Sequence, residues 1–483
     1  MRDMLLVLNF DDDASRAVTR KLRSERVFCK IVPGTISLEE IQSQEPLGLL
    51  LAGGVSGQTP AGLDSRIPAS DIPVLALGDA AGLLLSLLGG TAGDIAFQGA
   101  VMPVSYSANP LLEGLESGER MLPCAREFQL PPQVRPLASA QETVIGFAHE
   151  TLPLYGMQLQ IEQNDPESSL ILRNYALNIC GCTTWWDDDA FVTRAIEEIR
   201  RVAGEGRVVC AMTGGLDSGV SALLAHKALG NQLKCIFVDT GLLREREGDD
   251  FMAFYRDAMG LDITRVPAGD RFLDALKGVS DAKEKRAVII RVIQSILREE
   301  EEKLSPISAL VRGTSCHDIM FGGGALTPAL GENVPLIEPV RELFKDEIRR
   351  IADFLDIPAD LLSRQPFPGS GLALRIMGEV TKERLSTLRA ADALFRGELL
   401  RSSAAKRLWQ YFAVLCPMPG REEKSIICLR AVHTGDRSQA YAARLPYDVM
   451  ENVTDLILRD QKSVCRVTYD LTPVYNYSGV EWQ

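Results

Sequence analysis

Short apolar runs separated by loops dominate the first 165 residues of the chain. Five of them each predict a buried strand: LLVLNF, LGLLLAGG, IPVLALGD, ETVIGFAHE and YGMQLQIE. The segment AAGLLLSLLGG, directly after the third run, predicts a helix. Strands that alternate with helices indicate a doubly wound α/β layer. We expect residues 131–141 (PPQVRPLASAQ) to form a loop.

A second α/β pattern begins near residue 190. It predicts the helix FVTRAIEEIRRVAG, the strand RVVCAMTGG and the helix DSGVSALLAHKALG, followed by the strand CIFVDTG and the helix FMAFYRDAMG. Residues 279–303 predict one long helix that is acidic at its far end. Beyond residue 371 the order changes to helices followed by strands, which is typical of a small α+β domain. The predicted fold class is therefore α/β, with two doubly wound domains and a small α+β domain after them.

Composition and charge narrow the class of protein. The chain has 52 Lys and Arg against 65 Asp and Glu, a net charge of −13, which disfavours nucleic-acid binding through a general basic surface. No run approaches the ~20 apolar residues that span a bilayer. The start, MRDMLLVLNFDDDAS, lacks the long apolar core of a secretory peptide, and ten cysteines form no regular framework. We expect a cytoplasmic protein with no nucleic-acid or membrane partner.

The sharpest local motif is the glycine-rich turn at residues 212–219, MTGGLDSG, between a strand and a helix. Two glycines let backbone N–H groups approach an anion, and the helix N-terminus and the hydroxyls of Thr213 and Ser218 add donors. Asp217 is placed to orient the turn or to hold a metal beside phosphates. No Lys follows, so this is not a P-loop. An ordinary glycine turn before a helix remains the alternative.

The turn resembles the S-G-G-x-D-S loop of ATP pyrophosphatases, with Thr213 in place of the first Ser. Further motifs follow it at residues 237–244 (FVDTGLLR), 275–281 (ALKGVSD), 338–347 (EPVRELFKDE) and 366–372 (PFPGSGL). Together they make the whole chain resemble GMP synthetase, most specifically over 170–400 and 440–483. The resemblance implies three domains: a class I glutamine amidotransferase-like domain (1–165), an ATP pyrophosphatase domain (166–364), and a C-terminal dimerisation and nucleotide-binding domain (365–483).

The resemblance also implies the chemistry and its residues. The family adenylates the C2 oxygen of XMP with ATP and Mg²⁺, and ammonia then displaces AMP. The implied ATP-binding residues are Thr213, Gly214, Gly215, Leu216, Asp217, Ser218, Val238, Asp239, Lys277 and Asp318. Asp217 is also the candidate metal ligand, and Cys316, Asp217 and Lys345 are the candidate catalytic residues. The candidate substrate-binding residues are Arg286, Arg312, Gln365, Pro368, Gly369, Ser370, Tyr475 and Glu481. Lys277, Lys285, Arg286 and Lys345 are candidate phosphate partners, each with the alternative of a solvated surface charge.

Two departures fall in the amidotransferase-like domain. Gly78 stands where the family has its nucleophilic Cys, and Gln160 stands where it has its His. Glycine cannot be a nucleophile, and glutamine cannot act as a general base at neutral pH. We therefore expect no glutamine hydrolysis by this chain.

Other departures fall near the acceptor. The family's G-T-x-Y-P-D run reads GTSCHD here, which introduces Cys316 beside His317, and Gln365 replaces a His. A Cys beside a His can hold the attacking thiolate, although a buried free Cys is more commonly a small core residue. These changes favour adenylation of a purine nucleotide followed by replacement of its oxygen with sulfur, as in the conversion of GMP to 6-thio-GMP that GMP-synthetase-like proteins are associated with. The alternatives are ammonia-dependent amination of XMP or a related nucleotide, and a non-catalytic nucleotide-binding subunit. We also expect a homodimer and a protein donor of sulfur or ammonia.

Overall fold

The computed structural model describes residues 3–159, 161, 165–320, 334–362, 370–402, 404–434 and 439–475. The chain divides into two compact units, Met1–Phe191 and Val192–Gln483. The division into three domains, at residues 1–165, 166–364 and 365–483, remains a prediction. In the described part of the chain, no helix combines the length and the apolar character needed to cross a membrane.

The first unit contains one nine-stranded sheet in the order β2-β1-β3-β4-β9-β8-β7-β5-β6. Its strands are β1 (Leu5–Asn9), β2 (Cys29–Pro33), β3 (Gly48–Ala52), β4 (Val74–Leu77), β5 (Thr91–Tyr106), β6 (Gly118–Gln129), β7 (Val134–Ala140), β8 (Thr143–His149) and β9 (Leu154–Met157). Its helices are α1 (Asp12–Ser24), α2 (Leu38–Ser43), α3 (Asp79–Leu87) and α4 (Pro166–Asn174).

The first five strands in this order are parallel, and the remaining strands are antiparallel. Strands β3 and β4 are buried along their whole length, and β1 is buried except at its last residue. This explains their uninterrupted apolar sequences, because central parallel strands are covered on both faces. The α/β prediction for this region is confirmed.

The expectation of a loop at residues 131–141 was wrong, because strand β7 occupies most of this segment. Pro136 made the sequence resemble a loop, since proline cannot donate to a strand ladder. The structure accommodates it with a shift in register against β8 between Pro136 and Ala138. The preceding hairpin of β5 and β6 was not predicted either. The 16 residues of β5 alternate irregularly and stay largely exposed, so no apolar pattern marks them.

The second unit contains a fully parallel five-stranded sheet in the order β12-β11-β10-β13-β14. Its strands are β10 (Val208–Met212), β11 (Leu233–Asp239), β12 (Ile263–Pro267), β13 (Ala309–Val311) and β14 (Leu336–Ile337). The helices of this region are α5 (Asp188–Ala203), α6 (Leu216–Leu229), α7 (Glu247–Met252), α8 (Gly269–Ala275), α9 (Ala282–Leu304), α10 (Cys316–Met320), α11 (Lys345–Phe354) and α12 (Ala359–Leu362). The boundary between the two units falls within α5.

The strand order creates a switch point between β10 and β13. From β10 the chain moves outward through β11 and β12, then returns to place β13 on the other side of β10. Ligands of open parallel sheets bind in the crevice at the carboxyl ends of strands at such a point. The glycine-rich turn follows β10, so the fold brings it to this crevice.

A smaller α+β region completes the second unit. It contains α13 (Lys382–Arg401), α14 (Tyr447–Asp460), β15 (Gln410–Met418), β16 (Arg421–His433), β17 (Gln439–Ala442), β18 (Val464–Tyr469) and β19 (Val474–Tyr475). A continuous buried core joins this region to the parallel sheet, from Val209 and Ile236 to Ile427 and Val453. The α+β class predicted for the last part of the chain is confirmed, although α14 lies between β17 and β18 and the helices do not all precede the strands.

Candidate functional site

The loop after β10 turns directly into helix α6 and brings two hydroxyls together. The Thr213 backbone N–H donates to Ser218 Oγ at 3.3 Å, and the two side-chain oxygens are 3.2 Å apart. Ser218 Oγ also donates to the Gly215 carbonyl at 2.9 Å. The loop thus places two hydroxyls beside the N-terminus of a 14-residue helix. This arrangement favours an anion such as a phosphate, because the helix end carries partial positive charge and unpaired N–H groups.

A second segment reaches this turn from the end of β13. A Cβ on Gly313 would lie 2.5 Å from the Ser218 backbone nitrogen and 2.6 Å from the Asp217 carbonyl carbon. Both neighbours are backbone atoms, so only glycine permits this approach without displacement of the turn. The close contact holds the loop after β13 against the first turn of α6.

Lys345, the first residue of α11, lies between two carboxylates. Its Nζ pairs with Asp217 and is 3.7 Å from Asp318 Oδ2. Burial raises the pKa of Asp217, while the Lys345 cation opposes that rise. Residues predicted from three separate motifs therefore meet in one cluster. Its two carboxylates and one ammonium combine groups that can interact with a metal and with phosphates.

The carboxylates suit Mg²⁺ bound together with a nucleotide. Magnesium is usually held by one or two protein carboxylates, substrate phosphates and water. Asp217 and Asp318 match this donor set. Within the described residues there is no cluster of three or more His, Cys, Asp or Glu side chains that could form a self-sufficient metal site.

Ser315 is a functional neighbour that the sequence analysis missed. Its backbone N–H and its hydroxyl donate to Asp318 Oδ2 at 2.8 and 2.6 Å, and the Asp318 N–H faces Ser315 Oγ at 3.4 Å. This reciprocal pattern is a capping box. The Ser-x-x-Asp spacing of residues 315–318 was a usable signal for it. Cys316, between these partners, is only 6% exposed, and its N–H donates to the Leu343 carbonyl at 3.0 Å.

Asp239 is the last residue of β11, which pairs with β10, the strand that precedes the glycine-rich turn. Its Oδ1 accepts from the Gly241 N–H at 3.1 Å, and its Oδ2 forms a 2.6 Å ion pair with Arg265. Val238, the preceding residue, is buried. Arg389 of α13 supports the following loop by donating to the carbonyls of Gly241 and Leu243. Arg389 lies about 150 residues beyond this loop, so local sequence gave no signal for it.

The other predicted site residues are spread over the second unit. Arg312 lies just after β13, where burial lowers the pKa of its guanidinium and Glu338 opposes the shift. Lys277 is exposed after α8, Arg286 is half-buried in α9, and Ser370 is buried. Tyr475 ends β19. Gln160, Gln365, Pro368, Gly369 and Glu481 lie outside the described residues.

Lys285 does not match its prediction as a phosphate partner. Its side chain is 1% exposed, and its Nζ donates to the carbonyls of Ala373 at 3.2 Å and Ile376 at 2.6 Å. Burial lowers the pKa of this ammonium to about 8. The neighbouring charges in the sequence concealed its position on the inner face of α9. Lys285 holds the 371–375 turn, a structural role.

Gly78 of the first unit lies at a sharp turn between β4 and α3. Its φ of 60° and ψ of −134° belong to a region that non-glycine residues enter only under strain. A Cβ at this position would lie 2.3 Å from the Gly54 carbonyl oxygen and 2.5 Å from that of Gly53. The strand–turn–helix geometry is that of a nucleophile elbow, but the position has no side chain and no room for one.

Comparison with known proteins gives two family matches and full-length relatives. Residues 190–374 match the NAD synthase family and residues 397–482 match the GMP synthase C terminal domain. The chain is 35% identical over 510 residues to a protein named GMP synthase [glutamine-hydrolyzing] from Clostridium perfringens, with complete coverage of both chains. It is 36% identical over 509 residues to the Caldicellulosiruptor saccharolyticus protein of the same name, covering 100% of this chain and 99% of that one. The chain belongs to the GMP synthase family.

Membership of the GMP synthase family confirms the resemblance found in the sequence. It supports an enzyme of the ATP pyrophosphatase type, in a family that acts on purine nucleotides with ATP and Mg²⁺ and carries a dimerisation domain. The name of the relatives attributes glutamine hydrolysis to them.

Proposed function

We propose that this chain adenylates an oxo group of a purine nucleotide with ATP and replaces the oxygen with sulfur, without hydrolysing glutamine. The observation that carries the proposal is a contrast within one chain. Asp217, Asp318 and Lys345 are assembled beside the glycine-rich turn, whereas Gly78 provides no nucleophile at the elbow of the first unit. We call Asp217, Asp318 and Lys345 the ATP cluster. A family member that keeps this cluster but has no nucleophile to release ammonia from glutamine needs another source of the group that displaces AMP.

The first step follows from the cluster. The N-terminus of α6 and the Thr213 and Ser218 hydroxyls hold the phosphates, and Lys345 compensates their negative charge. Bound Mg²⁺, placed by Asp217, would neutralise charge on the phosphates. The purine oxo oxygen attacks the α-phosphorus of ATP, an O–AMP bond forms, and pyrophosphate leaves. This converts a poor leaving oxygen into AMP.

Sulfur enters in the second step. A donor protein transfers sulfur to the Cys316 thiol as a persulfide, whose terminal sulfur attacks the adenylated purine carbon and expels AMP. A thiol of the donor or of a cellular reductant then attacks the Cys316 sulfur. The S–S bond breaks, the electron pair leaves with the purine sulfur as a thiocarbonyl, and a mixed disulfide remains on Cys316 until a second thiol reduces it. Support comes from the position of Cys316 at the start of α10, between Ser315 and Asp318 of the cluster.

A second candidate is ammonia-dependent amination of XMP. It is favoured by the 35% identity, over the full chain, to proteins named GMP synthase. Free ammonia or a partner glutaminase would then supply the nitrogen, and ammonia would displace AMP without any thiol. A non-catalytic subunit is less well supported, because binding alone does not require the partly buried Asp217 and Lys345 pair.

The deciding experiment compares acceptors and nucleophiles. The purified protein is incubated with ATP and Mg²⁺ and with XMP, IMP or GMP, and pyrophosphate and AMP are measured. Each mixture then receives ammonium, sulfide or a persulfide-generating desulfurase, and thiopurine is detected by its red-shifted absorbance. Thiopurine formed only in the sulfur mixtures supports the proposal. Aminated product with ammonium, and no thiopurine under any sulfur condition, overturns it in favour of the second candidate.

Cys316→Ser tests the carrier step. The variant should still release pyrophosphate but form no thiopurine, while the matched control Cys416→Ser, at a half-buried Cys of β15, should behave as the parent. Thiopurine formed at the parental rate by Cys316→Ser removes Cys316 from the mechanism.

A further inference from the structure

Asp79, the residue after Gly78, binds the loop that faces the elbow. We define the 53–57 loop as the segment that follows β3. The Asp79 Oδ2 accepts from the Ser56 N–H at 2.7 Å and from the Ser56 hydroxyl at 2.8 Å. Its Oδ1 accepts from the Gly57 N–H at 3.1 Å. The carboxylate therefore occupies two backbone amides and one hydroxyl of this loop at once.

The backbone of Asp79 is also engaged. Its N–H donates to the Gly54 carbonyl at 2.8 Å. In a nucleophile elbow, the amide after the nucleophile belongs to the oxyanion hole and points at the reacting oxygen. Here a carbonyl of the protein itself takes that amide, so a substrate oxygen has no donor at this place.

The third observation is the space around Gly78. The carbonyls of Gly53 and Gly54 lie where the first side-chain atom of a nucleophile would begin, at 2.5 and 2.3 Å from a Cβ position. Distances below 3.0 Å to backbone oxygens require that the loop move. The 53–57 loop therefore fills the space beside Gly78 and, through Gly54, also accepts the Asp79 N–H.

We propose that Asp79 and the 53–57 loop form an internal lock that has replaced the glutaminase site. The loss of glutaminase chemistry is then not confined to two side chains, and a thiol at position 78 alone does not restore it. It follows, on the basis of the proposed function, that a separate reaction must supply the attacking group. That reaction is one that releases ammonia or mobilises sulfur outside this chain.

The test uses three single-substitution variants of the full chain, each changed in the first unit. Gly78→Cys introduces the thiol, Gly78→Ala introduces the same Cβ without it, and Asp79→Ala removes the carboxylate. Asp94→Ala, at an exposed Asp of β5, is the matched control for Asp79. Glutamate release from glutamine, covalent labelling by a glutamine-derived chloroketone, and the thermal midpoint are measured for each.

The lock predicts that Gly78→Cys forms no chloroketone adduct by intact mass. The absence of glutamate above the Gly78→Ala background is expected as well, but it already follows from Gln160. Asp79→Ala should lower the thermal unfolding midpoint of the first unit by about 4–8 °C relative to Asp94→Ala, because three hydrogen bonds to a carboxylate are lost. Glutamate release or chloroketone labelling by Gly78→Cys would overturn the proposal. Equal midpoints for Asp79→Ala and Asp94→Ala would do the same.

AMP formation by the same variants, supplied with ATP, Mg²⁺, a purine nucleotide and a persulfide-generating desulfurase, separates this inference from the proposed function. Asp79→Ala lies outside the cluster of Asp217, Asp318 and Lys345 and should adenylate at the parental rate. If the parent forms no AMP with any purine nucleotide, the proposed function fails, and the labelling and midpoint results still decide whether the lock exists.

Discussion

The two units each contain a strand that ends in a glycine turn and continues as a helix, but the two turns face different surroundings. At residues 213–218 the turn presents hydroxyls and the Asp217 carboxylate, with Lys345 beside it. At Gly78 the corresponding turn is filled by carbonyls of the 53–57 loop and fastened by Asp79. Two turns with the same strand–turn–helix course can therefore present different groups to their surroundings. The atoms that face the turn decide whether it can still bind and react.

The largest effect should come from Asp217→Asn. The substitution keeps the shape of the side chain and removes the charge that faces Lys345, so we expect AMP formation to fall at least ~100-fold. Pyrophosphate release with a purine nucleotide measures it. The control is Asp257→Asn, an exposed residue paired with its neighbour Arg256, which should leave the rate unchanged. Parental adenylation by Asp217→Asn would remove the glycine-rich turn from the active site.

Gly313→Ala tests whether the glycine-rich turn at residues 213–218 depends on the close contact of its backbone with Gly313. The added Cβ would push against the Asp217 and Ser218 backbone, and overpacking of this kind costs about 1–3 kcal/mol. We expect adenylation to fall about tenfold together with the midpoint of the second unit. Gly397→Ala, in helix α13, is the control, because a Cβ there would meet the Arg401 guanidinium at 3.6 Å, an ordinary contact with a flexible side chain. An unchanged rate for Gly313→Ala would show that the turn can move without loss of function.

The buried Lys285 should make the stability of the second unit depend on pH. Its ammonium lies among carbonyls, and burial lowers its pKa from 10.5 to about 8. Below pH 8 both the folded and the unfolded states carry the Lys285 charge, so its burial penalty is fully present. Between pH 8 and 10.5 the unfolded state binds more protons, and the penalty is progressively relieved.

Lys285→Met should therefore remove a pH-dependent part of the unfolding free energy. The parent should gain up to ~1.4 kcal/mol per pH unit relative to the variant as pH rises through this window. Denaturant unfolding at pH 7, 8, 9 and 10 measures the difference. A difference that stays constant with pH would contradict the assigned environment of Lys285.

The smallest effect should come from Thr213→Ser. Both side chains offer a hydroxyl to Ser218 and to a bound anion, so AMP formation should change less than about threefold. Thr213→Val keeps the shape and removes the hydroxyl, and it should cost about tenfold because the pair at 3.2 Å is lost. If the two variants behave alike, the hydroxyl at this position has no role.

Sequence reasoning identified the parallel sheets and the members of the cluster of Asp217, Asp318 and Lys345 because their signals are local. Buried parallel strands are continuous apolar runs, and the turn at Thr213, the GTSCHD segment and Lys345 each stand in a recognisable motif. It failed where contacts join distant segments. Pro136 concealed β7, the neighbouring charges concealed the buried position of Lys285, and nothing near Asp79 indicated that its carboxylate would bind Ser56 and Gly57. The absence of a nucleophile at Gly78 could be predicted from the sequence, but the contacts of the 53–57 loop with Gly78 and Asp79 could not.

A single reaction mixture can show whether the glycine-rich turn supports adenylation while the elbow of the first unit hydrolyses no glutamine. The parent protein is incubated with ATP, Mg²⁺, its purine nucleotide and a persulfide-generating desulfurase, with glutamine as the only added amide, and AMP and glutamate are measured in the same tube. We expect AMP and pyrophosphate at a rate that glutamine does not change, and no glutamate. Glutamate released in step with AMP would contradict this expectation.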